Sequence, residues 1–84
     1  MLDRDVIAAH EYCTNNKELL QTDSKCGCFY CLKIFDPREI KEWINDRHGT
    51  ALCPYCGIDS VIGEHSGYPI THEFLKKMYE YWFL

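Results

Sequence analysis

The chain has 84 residues, with 9 basic and 13 acidic side chains and a formal charge of −4, which suits one domain spanning 1–84 and too small a core to dispense with a staple. The acidity argues against a sequence-independent grip on nucleic acid, which relies on clustered Lys and Arg. Hydrophobic content of 46% with 14% aromatic residues argues against a disordered chain.

In chain order, the first expected element is a helix over about 3–20, capped by Asp3 or Asp5. Leu2, Val6, Ala9, Cys13 and Leu20 form its apolar stripe. Asn15 and Asn16 weaken the pattern near its end, and 21–25 is a polar connector. Cys26 to Phe35 then reads as a short strand leaving a metal-binding turn. The clearest helix start follows: Asp36 as N-cap, Pro37 at the first helical position, and Glu39 completing a capping box. Phe35 and Ile40 have the spacing of a hydrophobic staple, Ile40, Trp43 and Ile44 supply a buried face, and Gly49 ends the element. Thr50 to Gly57 reads as a strand entering a second turn of the same kind. The stretch 58–69 is rich in turn formers around Val61-Ile62, and periodicity leaves open a strand or a single helical turn there. A C-terminal helix over about 71–83 starts at Thr71, with Ile70 and Leu75 as its staple. Phe74, Leu75, Met78, Tyr79, Tyr81 and Trp82 fill one broad arc of it; Phe74, Leu75, Met78 and Trp82 are expected to complete the core.

Six cysteines imply either disulfides or metal. The charged start, 1–5, does not resemble a secretory signal, and no apolar run nears the roughly 18 residues of a membrane span. The expected address is therefore cytoplasmic, with no membrane partner, and there reduced thiols favour metal. Two residues between cysteines let one tight turn aim both sulfurs at one ion. Cys28-Phe29-Tyr30-Cys31 and Cys53-Pro54-Tyr55-Cys56 are two such pairs, 21 residues apart. They predict one structural Zn2+, with Pro54 presetting the second turn and Gly57 relieving it. Four thiolates and one divalent ion would take the charge to about −6 (−4 − 4 + 2). Cys26 is the substitute ligand, since its spacing to Cys31 also lies within the known range; otherwise it is a buried thiol beside the site. Cys13 follows His10 by three residues but falls on the apolar stripe, which favours a packed core thiol.

Redox catalysis by a CxxC expects a βαβ frame, which this pattern lacks. A catalytic zinc keeps an open position that four thiolates close. Asp59, Ser60, His65, Ser66 and Tyr68 form a possible functional loop by residue type, although their spacing defines no mechanism. His48, His65 and His72 sit in polar stretches, where solvated side chains are expected. The fold expectation is a small α+β zinc-stabilised domain. Its zinc core, about 26–63, carries two CxxC knuckles on a short β-hairpin, zinc-ribbon or treble-clef-like, packed with about three helices.

A resemblance rests on Cys26-Gly-Cys-Phe-Tyr-Cys31, Ile34-Phe35, Glu39-Ile40 and Trp43, together with 50–63, 67–71 and Trp82-Phe83. On these residues the chain resembles a family of small, uncharacterised bacterial cytoplasmic proteins marked by CGCFYC and CPYCGIDSVIG. The resemblance covers nearly the whole chain. It implies a stand-alone bacterial or phage-encoded protein and carries over no catalytic residue. At the level of fold the paired CxxC turns are similar to zinc-ribbon and treble-clef fingers. The HNH nucleases among these need further histidines between the pairs, and only His48 lies there.

The expected function is a non-catalytic zinc module acting through a protein partner or a second copy, in a regulatory role. Tyr79, Tyr81, Phe83 and Leu84 are the expected contact residues. Two alternatives stay open. One is a nucleic-acid finger using Lys33, Arg38, Lys41 and Arg47 beside Phe29 and Tyr30. The other is a small enzyme using the Asp59–Tyr68 loop.

Overall fold

The computed structural model describes the backbone from residue 3 and the side chains from residue 4 to the C-terminus; the expected stripe residue Leu2 and the Asp3 cap lie outside these. Within them the chain is a small α+β fold with three α-helices and two small sheets. None of the described helices is long and apolar enough to cross a membrane.

The single helix expected over 3–20 is broken into pieces. Helix α1, Asp3–Ala9, continues as a 3₁₀ turn over His10–Cys13, and α2 is only Lys17–Leu20. The break falls at Thr14, which is extended, and Asn15, whose φ of 51° is left-handed backbone that Asn tolerates better than most residues. Long-range hydrogen bonds explain why the helix stops. Asn15 N donates to Thr50 Oγ1 at 2.8 Å, and Asn15 Oδ1 accepts from His48 N at 3.0 Å. Asn16, fully buried, donates through Nδ2 to Tyr12 O and Val61 O and accepts at Oδ1 from Ala51 N. The two residues that spoil the helical pattern tie the N-terminal segment to the strands.

The helix expected after Asp36 is also replaced. Its start forms as read: Asp36 Oδ1 accepts from Arg38 N at 2.8 Å and Glu39 Oε2 accepts from Asp36 N at 3.0 Å. Only one 3₁₀ turn, Pro37–Glu39, follows, because Ile40 is extended and β3, Trp43–Ile44, pairs with β4, Thr50–Ala51. Trp43 and Ile44 are good strand formers, and a paired neighbour decides such short segments. The staple survives, since Phe35 and Ile40 are buried in one cluster.

The other sheet has the order β2-β1-β5, all antiparallel, formed by Ile34–Phe35, Cys26–Cys28 and Val61–Gly63. Val61-Ile62 is thus a strand, the choice periodicity had left open. Strand alternation sends neighbours to opposite faces. Cys26, Cys28 and Val61 join Leu20, Phe35, Ala51 and Cys53 on one side. Phe29 and Ile62 join Val6, Ala9, Cys13, Ile70, Phe74, Leu75 and Met78 on the other. Between Cys26 and Cys28, a Cβ on Gly27 would come within 2.6 Å of Leu75 Cδ1, so the glycine lets α3 lie close on the strand.

Helix α3, His72–Phe83, is capped as expected by Thr71, whose hydroxyl accepts from Phe74 N at 3.2 Å. Phe74, Leu75 and Met78 are its buried residues. Trp82 does not complete the core: 37% of it stays exposed, held by a hydrogen bond from Nε1 to Val6 O at 3.2 Å.

Candidate metal centre

Two turns with the same hydrogen bonds carry four cysteines. In the first, Leu32 N donates to Cys28 O, Cys28 N to Lys33 O and Tyr30 N to Cys28 Sγ. In the second, Gly57 N donates to Cys53 O, Cys53 N to Ile58 O and Tyr55 N to Cys53 Sγ. The residue after each last cysteine is left-handed, Leu32 at φ 68° and Gly57 at φ 79°. Glycine takes this conformation freely, whereas at Leu32 the same turn is held at a steric cost of about 1–3 kcal/mol.

The turns face each other so that the sulfurs of Cys28, Cys31, Cys53 and Cys56 all lie within 4.8 Å of one another. Cys28 Sγ is 3.6 Å from Cys56 Sγ, and Cys31 Sγ is 3.7 Å from Cys53 Sγ. A zinc–thiolate bond of about 2.3 Å implies tetrahedral sulfur separations of about 3.8 Å. The donor set and its spacing therefore fit one tetrahedral soft-ligand ion. Cys28 and Cys53 are buried, while Cys31 and Cys56 are half-buried.

The thiols respond differently to their surroundings. Burial works against ionisation of Cys28, yet its hydrogen bonds hold the thiol below its ordinary value; Ser60 contributes most, with the Cys31 and Tyr30 amides and Cys56. Ser60 itself is buried, with Oγ 3.0 Å from Cys28 Sγ. Burial pushes Cys31 up to about 11 and raises Cys56 further. A divalent cation among four such sulfurs supplies the charge that stabilises them as thiolates.

Cys26 lies outside the cluster. It is fully buried, with Sγ 3.5 Å from Phe35 O, and burial beside Asp23 and Asp36 raises its thiol well above the ordinary value. Cys13 is a core thiol in contact with the α1–α3 side, pushed up to about 11 by burial and by the charge of Asp59.

The residues of the 59–68 stretch do not converge. Asp59 is exposed, Ser60 faces Cys28, Ser66 Oγ accepts from Tyr68 N, and Tyr68 stacks on Phe74. His65, expected in solvent, is the correction here. Only 9% of its side chain is exposed, and Nδ1 lies 2.6 Å from Asp23 Oδ2, whose carboxylate is itself buried. A Cβ on Gly63 would sit 2.2 Å from that same oxygen, so the pair requires glycine there. The partners are 42 residues apart, and no local pattern announces them. His48 and His72 are exposed as expected.

Tyr79 and Phe83 gather on the first cysteine turn, whereas Trp82 packs on His10 and Tyr81 lies against Trp82. Tyr30 lies 4.9 Å from Phe83 and 5.8 Å from Tyr79, ring centre to ring centre, and Tyr79 lies 5.7 Å from Phe83. Tyr81, Phe83 and Leu84 are exposed and Tyr79 is half-buried. The basic set is dispersed in its engagements: Arg38 is bound to Asp36, and Lys33 lies over the Tyr55 ring. Phe29, paired with Tyr30 in the nucleic-acid reading, is 1% exposed and has no face to offer a base.

Comparison with protein-family models, with curated proteins and with solved structures finds no match for the chain.

Proposed function

We propose that the protein is a non-catalytic zinc-binding module of bacterial cytoplasm that acts, in a regulatory role, through contact with a protein partner. The observation that carries this is the convergence of four thiols with a tetrahedral spacing. Cys28, Cys31, Cys53 and Cys56 hold one Zn2+ as a pair of zinc knuckles of the zinc-ribbon or treble-clef kind. Four thiolates leave no position for substrate or water, so the ion's contribution is to folding. The scatter of Asp59, Ser60, His65 and Ser66 supports the same conclusion, since none of them forms a nucleophile–base pair with another.

The contact surface is the aromatic cluster that the first knuckle shares with the end of α3. Tyr30, Tyr79 and Phe83 form it, and Tyr81, which lies against Trp82, and Leu84, 82% exposed, add further contacts at the same end of the chain; tyrosine and phenylalanine are residue types that anchor interfaces.

Native mass spectrometry of the purified protein, with and without a strong chelator, tests the proposal. The expected result is one zinc per chain, lost with the fold on chelation, and a partner or second copy retained by the wild type and released by Phe83→Ser. A metal-free folded chain contradicts the zinc reading. A zinc-bound chain monomeric at high micromolar concentration, with no partner from cell lysate, contradicts the interaction reading.

A further inference from the structure

A thiolate meets an oxidant only as far as its surroundings admit one, and the four sulfurs of the candidate centre differ in this. Cys28 and Cys53 are at most 3% exposed, whereas Cys31 and Cys56 are half-buried. Each knuckle therefore has a covered first cysteine and a second cysteine that reaches the surface. Ser60, itself 2% exposed, adds to the cover of Cys28 with a hydroxyl 3.0 Å from its sulfur.

The close pairs run across the knuckles. Cys31 Sγ lies 3.7 Å from Cys53 Sγ, and Cys56 Sγ lies 3.6 Å from Cys28 Sγ. Each reachable sulfur thus has a covered sulfur of the other turn beside it. A disulfide needs such a pair to close to about 2.05 Å, a movement of under about 2 Å shared by two turns. An accessible thiolate poised next to a second, resolving thiol is the arrangement on which oxidation stops reversibly at a disulfide.

The other two thiols stand apart from this chemistry. Cys13 is buried in the cluster toward α1 and α3. Cys26 is fully buried, with its sulfur against Phe35 O.

We infer that the four-cysteine centre is an oxidation site, at which a peroxide converts the thiolates to the disulfides Cys31–Cys53 and Cys28–Cys56 and the zinc is released. The inference rests on the zinc reading above and adds the regulation of that site. In each round the thiolate of Cys31 or Cys56 attacks hydrogen peroxide. The S–O bond forms, the O–O bond breaks and hydroxide leaves, so the sulfur loses two electrons and the peroxide gains them. The thiolate of Cys53 or Cys28 then attacks the oxidised sulfur. The S–S bond forms, the S–O bond breaks, and a second hydroxide leaves. Two thiolates and one peroxide thus give one disulfide and two hydroxides. After both rounds no thiolate is left to hold a divalent cation. The two crosslinks join the same turns that the ion joined, so the oxidised chain keeps its fold.

The test titrates the zinc-loaded full chain with hydrogen peroxide while a zinc-sensitive dye reports the free ion. The unreduced product is digested with chymotrypsin, which cuts after Phe29, Tyr30 and Tyr55 and so separates the two cysteines of each knuckle, and is mapped by tandem mass spectrometry. The expected result is release of zinc with about two peroxides per ion, both cross-knuckle disulfides, and Cys13 and Cys26 recovered as free thiols. Helical circular dichroism is retained, and a dithiol with added zinc restores the starting protein. Zinc held in excess peroxide, disulfides confined within each CxxC or formed with Cys13 or Cys26, sulfinic acid in place of disulfide, or unfolding on oxidation overturns the inference. A chain that holds no zinc before peroxide is added overturns the zinc reading and this inference with it, so the two failures are distinguished. Every arm uses the wild type, and no variant has to fold.

Discussion

The two faces of the β2-β1-β5 sheet are stabilised by different chemistry. Toward α1 and α3 the strands bury Phe29 and Ile62 against Phe74, Leu75 and Met78, all at most 1% exposed. Burying each of these large side chains contributes about 1.5–3 kcal/mol. Toward the second sheet they present Cys26, Cys28 and Val61 to Ala51 and Cys53, with Leu20, Phe35 and Ile40 completing that cluster. The strands there are only two or three residues long, too short to hold together by pairing alone. One side is apolar throughout; the other sets four converging thiols beside Leu20, Phe35 and Ile40, and under the proposed function a metal ion joins those thiols.

The largest expected effect is removal of that metal, by a strong chelator or by Cys53→Ser. Structural zinc carries about 10–16 kcal/mol of apparent binding free energy, comparable to the whole stability of a small domain. Because β1 and β5 serve both sides, circular dichroism is expected to show loss of α3 together with the knuckles. A folded α3 in the chelated protein breaks the comparison into two independent units.

Next is the carbon side alone. Phe74→Ala is expected to cost about 3–5 kcal/mol in urea unfolding while the folded fraction still binds one zinc. Asn16→Ala probes the join between the sides. It leaves Val61 O and Ala51 N short of a partner at about 1–3 kcal/mol each, for a loss of roughly 2–6 kcal/mol by the same measurement. Cys26→Ala has the smallest effect, about 1 kcal/mol, with zinc stoichiometry unchanged; loss of zinc in that variant would make Cys26 a ligand and redraw the sulfur side.

What the sequence made legible follows the range of the interactions. The Cys53–Cys56 turn, the Asp36 cap and the start of α3 are set within a few residues, so Pro54, Gly57, Glu39 and Thr71 point to them directly. The broken N-terminal helix depends on Asn15 and Asn16 reaching residues 35 and 45 positions away, and a helical stripe carries no sign of such partners. Trp43 and Ile44 fit a helical face and a strand alike, and only pairing with Ala51 and Thr50 decides between them. His65 looked solvated because its neighbours in sequence are polar, whereas its partner Asp23 comes from another part of the chain. The four clustered cysteines were legible as two spaced pairs, while their meeting depends on the whole fold between them.

The central claim is that four sulfurs, and nothing else, hold one zinc ion. X-ray absorption at the zinc edge of the purified protein tests it most directly. The account predicts a single shell of four sulfur scatterers at about 2.3 Å. A shell containing nitrogen or oxygen, or a folded protein free of zinc, would contradict it.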